Sequence, residues 1–109
     1  MPKSVGPGGN GEVVRLASRP GDPDHPFAFA PPQLTVPVGT TVRWVNDDDV
    51  FHTVTSTAEL EPRRPSGLFG HSLFRKGQTF DYTFAKAGTF HYYCQPHADF
   101  MFGTVTVQG

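Results

Sequence analysis

The chain reads as an all-β domain, a Greek-key β-sandwich or barrel of about seven to eight strands. Three observations carry that reading. Gly 12 and Pro 11 in 109 residues supply many turns, and Phe 10 supplies flat side chains suited to sheet packing. Apolar residues alternate with polar ones over several short runs, the period of a half-buried strand. Turn residues separate those runs at short, regular spacing.

The elements follow in order. Residues 1–11 are Gly-rich and read as a flexible leader or linker, leaving 12–109 as a single domain. Val13, Val14 and Leu16 mark a first strand. Pro20-Gly21-Asp22-Pro23-Asp24 is a turn-rich loop, and His25 beside it reads as a solvated side chain. Phe27 and Phe29 alternate with alanines in a short strand. Leu34, Val36 and Val38 alternate with Thr35 and Pro37. Because Pro37 cannot donate to a ladder, it belongs at an edge. Gly39-Thr40 turns the chain into Thr41 to Asn46, with Val42 and Trp44 on one face. The stretch 34–46 thus reads as a hairpin. Asn46-Asp47-Asp48-Asp49 reads as a solvated loop, with Asn46 or Asp47 as candidates to brace a nearby site.

Phe51 to Ser56 alternates again. His52 and Val54 share one parity, so if Val54 faces the core His52 does too. Residues 57–77 are irregular, with Pro62, Pro65, Gly67 and Gly70 breaking any period. They suit a Greek-key crossover. Arg63 and Arg64 read as solvated, and His71 as a surface residue. Phe80, Tyr82 and Phe84 share one face of the next strand. In Thr89 to Cys94, Phe90, Tyr92 and Cys94 point inward, while His91 and Tyr93 point outward. Gly103, Val105 and Val107 form the inward face of the last strand.

Formal net charge is -1, which gives no strong bias toward nucleic acid or a membrane surface. No apolar run approaches the ~20 residues of a membrane-spanning helix. A single cysteine cannot form an internal disulfide. That cysteine instead sits in the stretch that holds most of the chemistry, Cys94-Gln95-Pro96-His97-Ala98-Asp99-Phe100-Met101. A thiolate, an imidazole and a thioether within one loop can converge on one metal ion. Soft sulfur with imidazole suits copper, and a His₂Cys set with a weak axial Met is the blue-copper arrangement. It needs a second, distant histidine. His52, inward at the start of one strand, can meet Cys94, inward at the end of another, at one end of a sandwich. Met is a poor zinc ligand, which weighs against zinc. His25, His71 and His91 form no His-x-His pair, so the further copper centre of a copper oxidase has no visible ligands.

The sequence resembles the cupredoxin family, near its plastocyanin, halocyanin and amicyanin group. The matching pieces are Val36-Pro37-Val38-Gly39-Thr40-Thr41-Val42-Arg43-Trp44-Val45-Asn46, His52-Thr53-Val54, Gly88 to His97, and Met101-Phe102-Gly103-Thr104-Val105-Thr106-Val107. They fall in the family's order. The resemblance implies one type 1 copper held by His52, Cys94, His97 and Met101. It implies that Asn46 braces the ligand loops near the thiolate. It further implies a small, monomeric, non-enzymatic electron carrier working outside the cytoplasm. The electron would pass through the exposed edge of His97 to redox proteins that dock transiently. Phe100, Pro96 and the outward-facing Tyr93 are the accompanying candidates for docking or electron exit. A copper-delivery module, or one domain of a larger copper oxidoreductase, is the alternative.

Overall fold

The computed structural model describes residues 11–109, so the first ten residues of the expected leader lie outside the description. Among the described residues, nine strands form two sheets. They are β1 (Gly11–Ser18), β2 (Phe27–Ala30), β3 (Gln33–Pro37), β4 (Thr41–Asn46), β5 (His52–Thr57), β6 (Gly70–Leu73), β7 (Thr79–Thr83), β8 (Gly88–Tyr93) and β9 (Phe102–Gln108). One sheet has the order β2-β1-β4-β7, the other β3-β9-β8-β5-β6. The strand order is that of a Greek-key sandwich, as the alternation predicts.

Three expectations need correction. Gly11, assigned to the leader, is buried in β1 and lies opposite Thr41 of β4. The hairpin over 34–46 does not form. β3 pairs in parallel with β9, and β4 pairs with β1 and β7 in the other sheet. Gly39, at φ 94, turns the chain between the layers. Val36 and Trp44 both reach the core, but they approach it from opposite sheets. The irregular stretch also contains β6, whose Gly-His-Ser-Leu composition carries no alternation to read. Pro37 does lie on an edge strand.

The core fills the space between the sheets with aromatic rings. Trp44 packs edge-on to Tyr92 at 5.3 Å between ring centroids, and Phe29 to Tyr92 at 4.7 Å. Gly103 makes this possible, because a Cβ there would stand 2.5 Å from the Tyr92 hydroxyl and 3.0 Å from the Pro32 carbonyl. β5 is buried along its whole length. On one side lies the core; on the other the crossover folds back, with Ser66 N–H donating to the Ser56 carbonyl at 2.8 Å.

Two features of this frame build the site. β1 and β4 run parallel with Leu16 opposite Asn46, and Asp47 N–H donates to the Leu16 carbonyl. That sets the turn after β4 beside Ser18. β5 and β8 are antiparallel with Thr55 opposite Tyr93, which brings Thr53 level with the start of the loop after β8.

Candidate metal centre

The loop from Cys94 to Met101 closes on itself. After the extended Cys94, Gln95–His97 forms a single 3₁₀ turn with Pro96 in its first positions. His97 N–H donates to the Cys94 carbonyl at 3.1 Å and Met101 N–H to the His97 carbonyl at 2.9 Å. Cys94 N–H donates to the Met101 carbonyl at 2.9 Å. Cys94, His97 and Met101 are therefore tied through their own main chain.

His52 arrives from β5, fully buried. Its Nδ1 lies 3.6 Å from Cys94 Sγ, and His97 Nδ1 lies 3.3 Å from the same sulfur. The ligating atoms of His52, Cys94 and His97 all fall within 4.8 Å of one another. First-row ions bind imidazole nitrogen and thiolate at ~2.0–2.3 Å, and an ion central to three such donors spaces them roughly 3.5 Å apart. The observed spacing fits one ion, and one thiolate with two imidazoles fits copper. The Met101 side chain is fully buried and belongs to the same core cluster as Cys94.

Several contacts were not legible in the sequence. Thr53 N–H donates to Cys94 Sγ at 3.3 Å, and Thr53 Oγ1 accepts from Gln95 N–H at 2.9 Å. One residue thus holds both the sulfur and the loop behind it. Asp48, expected in solvent, is 8% exposed, and its Oδ2 lies 3.0 Å from His52 Nε2. The i, i+4 spacing of Asp48 and His52 is the only signal that could have found it. Phe27 packs 5.1 Å from the His52 ring and 4.8 Å from the His97 ring.

Two expected roles change. Asn46 braces a different contact from the one expected. Its Nδ2 donates to the Val50 and Leu73 carbonyls, and its Oδ1 accepts from Asp48 N–H. It shapes the turn that carries Asp48, while the bond to the sulfur comes from Thr53. Asp47, the other bracing candidate, pairs instead with Arg15 at 2.9 Å. Tyr93 points away from the core but is only 4% exposed. Parity names its sheet face correctly, but the crossover covers that face. Arg63, expected to be solvated, spans this region. It donates to the Ala98 and Leu60 carbonyls and lies 4.5 Å above the Phe102 ring.

His97 is half-buried, Pro96 is exposed, and Phe100 is half-buried with its ring 5.7 Å from that of His97. The remaining histidines stand apart from the cluster. His25 is exposed beside Asp22, His71 stacks on Phe80, and His91 bonds Thr104.

Burial favours the neutral forms of Cys94 and His97 before metal binds. Burial pushes the Cys94 thiol above its ordinary 9.0, against the opposing pull of the Thr53 N–H. Burial, and then the neighbouring His52, hold His97 below its ordinary 6.5. A neutral imidazole is the form that ligates.

A two-sheet sandwich with a buried His-Cys-His cluster at one end is a cupredoxin, a fold that holds one copper. The chain belongs to the plastocyanin/azurin family of copper binding proteins, whose pattern it matches over residues 18–108. It is 35% identical over 85 residues to amicyanin of Paracoccus denitrificans, covering 73% of this chain and 58% of that protein. With plastocyanin of Nostoc punctiforme the identity is 37% over 92 residues, covering 76% and 66%. The chain therefore spans about three-fifths to two-thirds of these relatives. Among solved structures, a purple cupredoxin from Nitrosopumilus maritimus superimposes with a TM-score of 0.76 at 32% identity, covering 89% of this chain and 99% of that one. A reduced Cu(I) amicyanin variant gives 0.71 at 33% identity, covering 95% and 86%.

Proposed function

We propose that this protein is a one-electron carrier whose type 1 copper is held by His52, Cys94, His97 and Met101. The observation that carries the reading is the convergence of His52 from β5 with Cys94 and His97, all within 4.8 Å, the last two on a loop whose main chain also ties in Met101. Bound copper supplies the chemistry by cycling between Cu(I) and Cu(II), and a His₂Cys set with a weak Met lies between the preferences of the two states.

The residues supply the rest. Cys94 gives up its proton on metal binding, and the Thr53 N–H stabilises the resulting thiolate. His52 and His97 turn Nδ1 toward the sulfur. The rings of Phe27 and Phe100 pack against His97 and restrict water on that side. The loop hydrogen bonds and the β5 register hold the donors in one arrangement for both redox states. Little then needs to move when an electron does. Four protein donors leave no position for a substrate, which supports a carrier over an enzyme.

The electron enters or leaves through the edge of His97. Pro96 and Phe100 form the surrounding surface for redox proteins, which dock transiently over a small interface. Tyr93 is the weaker port, because it lies under the crossover. Among the described residues, no helix is long and apolar enough to cross a membrane. A monomer acting outside the cytoplasm, with 12–109 as one domain extended by Gly11, completes the proposal.

Electron self-exchange in a mixture of the Cu(I) and Cu(II) forms, followed by NMR line broadening, tests the carrier role. Fast exchange with copper retained is the expected result. Slow exchange, with copper passing readily to a metal-free acceptor, would favour delivery instead.

A further inference from the structure

Asp48 makes contacts that its place in a run of three acids does not explain. Its Oδ1 accepts from both Ser18 N–H at 3.0 Å and Ser18 Oγ–H at 2.6 Å. Its own N–H is held by Asn46 Oδ1 at 2.8 Å. With one oxygen and the main chain fixed, the other oxygen, Oδ2, has one direction left, toward His52 Nε2 at 3.0 Å. Asp48 is 8% exposed and His52 is fully buried, so water competes weakly for this contact. The neighbouring acids behave differently: Asp47 pairs with Arg15 near the surface, and Asp49 is exposed.

We propose that Asp48 is a positioning residue that fixes the tautomer of His52 and lowers the reduction potential of the copper site. This rests on the carrier reading above for its redox part, but not for the tautomer. A carboxylate only accepts hydrogen bonds, so His52 Nε2 must donate to Oδ2. The proton is then on Nε2, and the lone pair on Nδ1 faces Cys94 Sγ, 3.6 Å away. The opposite tautomer would aim an N–H into the donor cluster. The negative charge beside the ring also makes Nδ1 a better donor. A better donor with an added negative charge favours the more highly charged Cu(II) over Cu(I). Ser18, at the end of β1, belongs to one sheet and His52 to the other, so the chain Ser18–Asp48–His52 carries positioning across the sandwich.

Two measurements test this. In the metal-free protein, ¹⁵N NMR of the histidine rings reads the tautomer without any substitution. His52 is expected as the Nε2–H form, with Nδ1–H appearing in Asp48→Ala. A native His52 in the Nδ1–H form overturns the proposal, whether or not the variants fold. In the copper form, Asp48→Asn is expected to weaken Cu(II) binding more than Cu(I) binding, within the ~10- to 100-fold loss of affinity that follows removal of a partner of metal-bound histidine. Each tenfold difference between the two states raises the potential by about 59 mV for one electron. Ser18→Ala, which keeps the charge but frees one side of the carboxylate, is expected to shift it less, in the same direction. An unchanged potential in Asp48→Asn, with the visible band intact, removes the electrostatic role. Failure of the native protein to form any thiolate–copper band would sink the carrier reading instead, and the tautomer would still decide the role of Asp48.

Discussion

The main-chain N–H of Thr53 points at Cys94 Sγ from 3.3 Å, across 41 positions of sequence. The Thr53 hydroxyl oxygen accepts from Gln95 N–H one residue further on. A strand and the ligand loop are thus fastened twice by one residue. The main-chain bond depends on the register of β5 against β8; the side-chain bond depends on the hydroxyl.

Thr53→Val keeps the shape and removes the acceptor of a part-buried hydrogen bond, leaving Gln95 N–H without its protein partner. The expected loss of stability is about 0.5–1.5 kcal/mol, with recovery of most of it in Thr53→Ser. Urea unfolding of the metal-free proteins measures it. Equal stability of the valine variant and the native protein would contradict the bracing role.

Arg63 fastens the same loop from the other side, through the Ala98 carbonyl and the Phe102 ring. Arg63→Ala is expected to cost about 1–3 kcal/mol, since it removes charged hydrogen bonds and a cation–π contact together. Arg63→Lys should recover little, because an ammonium cannot reproduce the planar fork. The unfolding midpoint checks both. A neutral Arg63→Ala would return this side chain to the solvated role its sequence predicts.

Phe100→Asp is expected to slow electron exchange with a redox partner while leaving the visible spectrum nearly unchanged. Phe100 packs against His97 and makes no bond to Cys94 Sγ, so the charge acts on docking more than on the donor set. Stopped-flow exchange beside an absorption spectrum separates these effects. An unchanged exchange rate would count against this docking face.

The metal-free protein should lose stability at both ends of the pH scale. His97 is held below 6.5, so the folded state resists protonation more than the unfolded one. The stability of its neutral form is present above 6.5 and declines as pH falls below it. The Cys94 thiol is held above 9.0, so its contribution is present below 9.0 and declines as pH rises past it. Cys94→Ser should flatten the alkaline arm and leave the acid arm. Copper uptake should also release the thiol proton, so affinity rises with pH up to the raised value of Cys94. Unfolding curves across pH, with proton release on metal addition, test all of this.

Alternation made His52 and Cys94 legible, because both share a parity with buried apolar neighbours, Val54 and Tyr92. The Cys94–His97–Met101 loop is legible because its candidate donors are local. What alternation cannot carry is the partner of each face. Tyr93 lies on the outer face as its parity predicts, yet the crossover covers it, and nothing in 58–69 announces where that segment will lie. The turn at Gly39-Thr40 reads as a hairpin because a change of sheet and a reversal within one sheet use similar turn residues. Nothing local sets Asp48 apart within its run of acids, because its burial depends on Ser18, thirty positions away.

One titration tests a type 1 copper bound through Cys94 most directly. Cu(II) is added to the purified protein and to Cys94→Ser, with visible absorption and EPR recorded at each step. An intense visible band saturating at one copper per chain, with a narrow copper hyperfine splitting, and no such band in the serine variant, is the predicted result. A colourless complex, or a colour that survives in Cys94→Ser, would contradict a type 1 copper bound through Cys94.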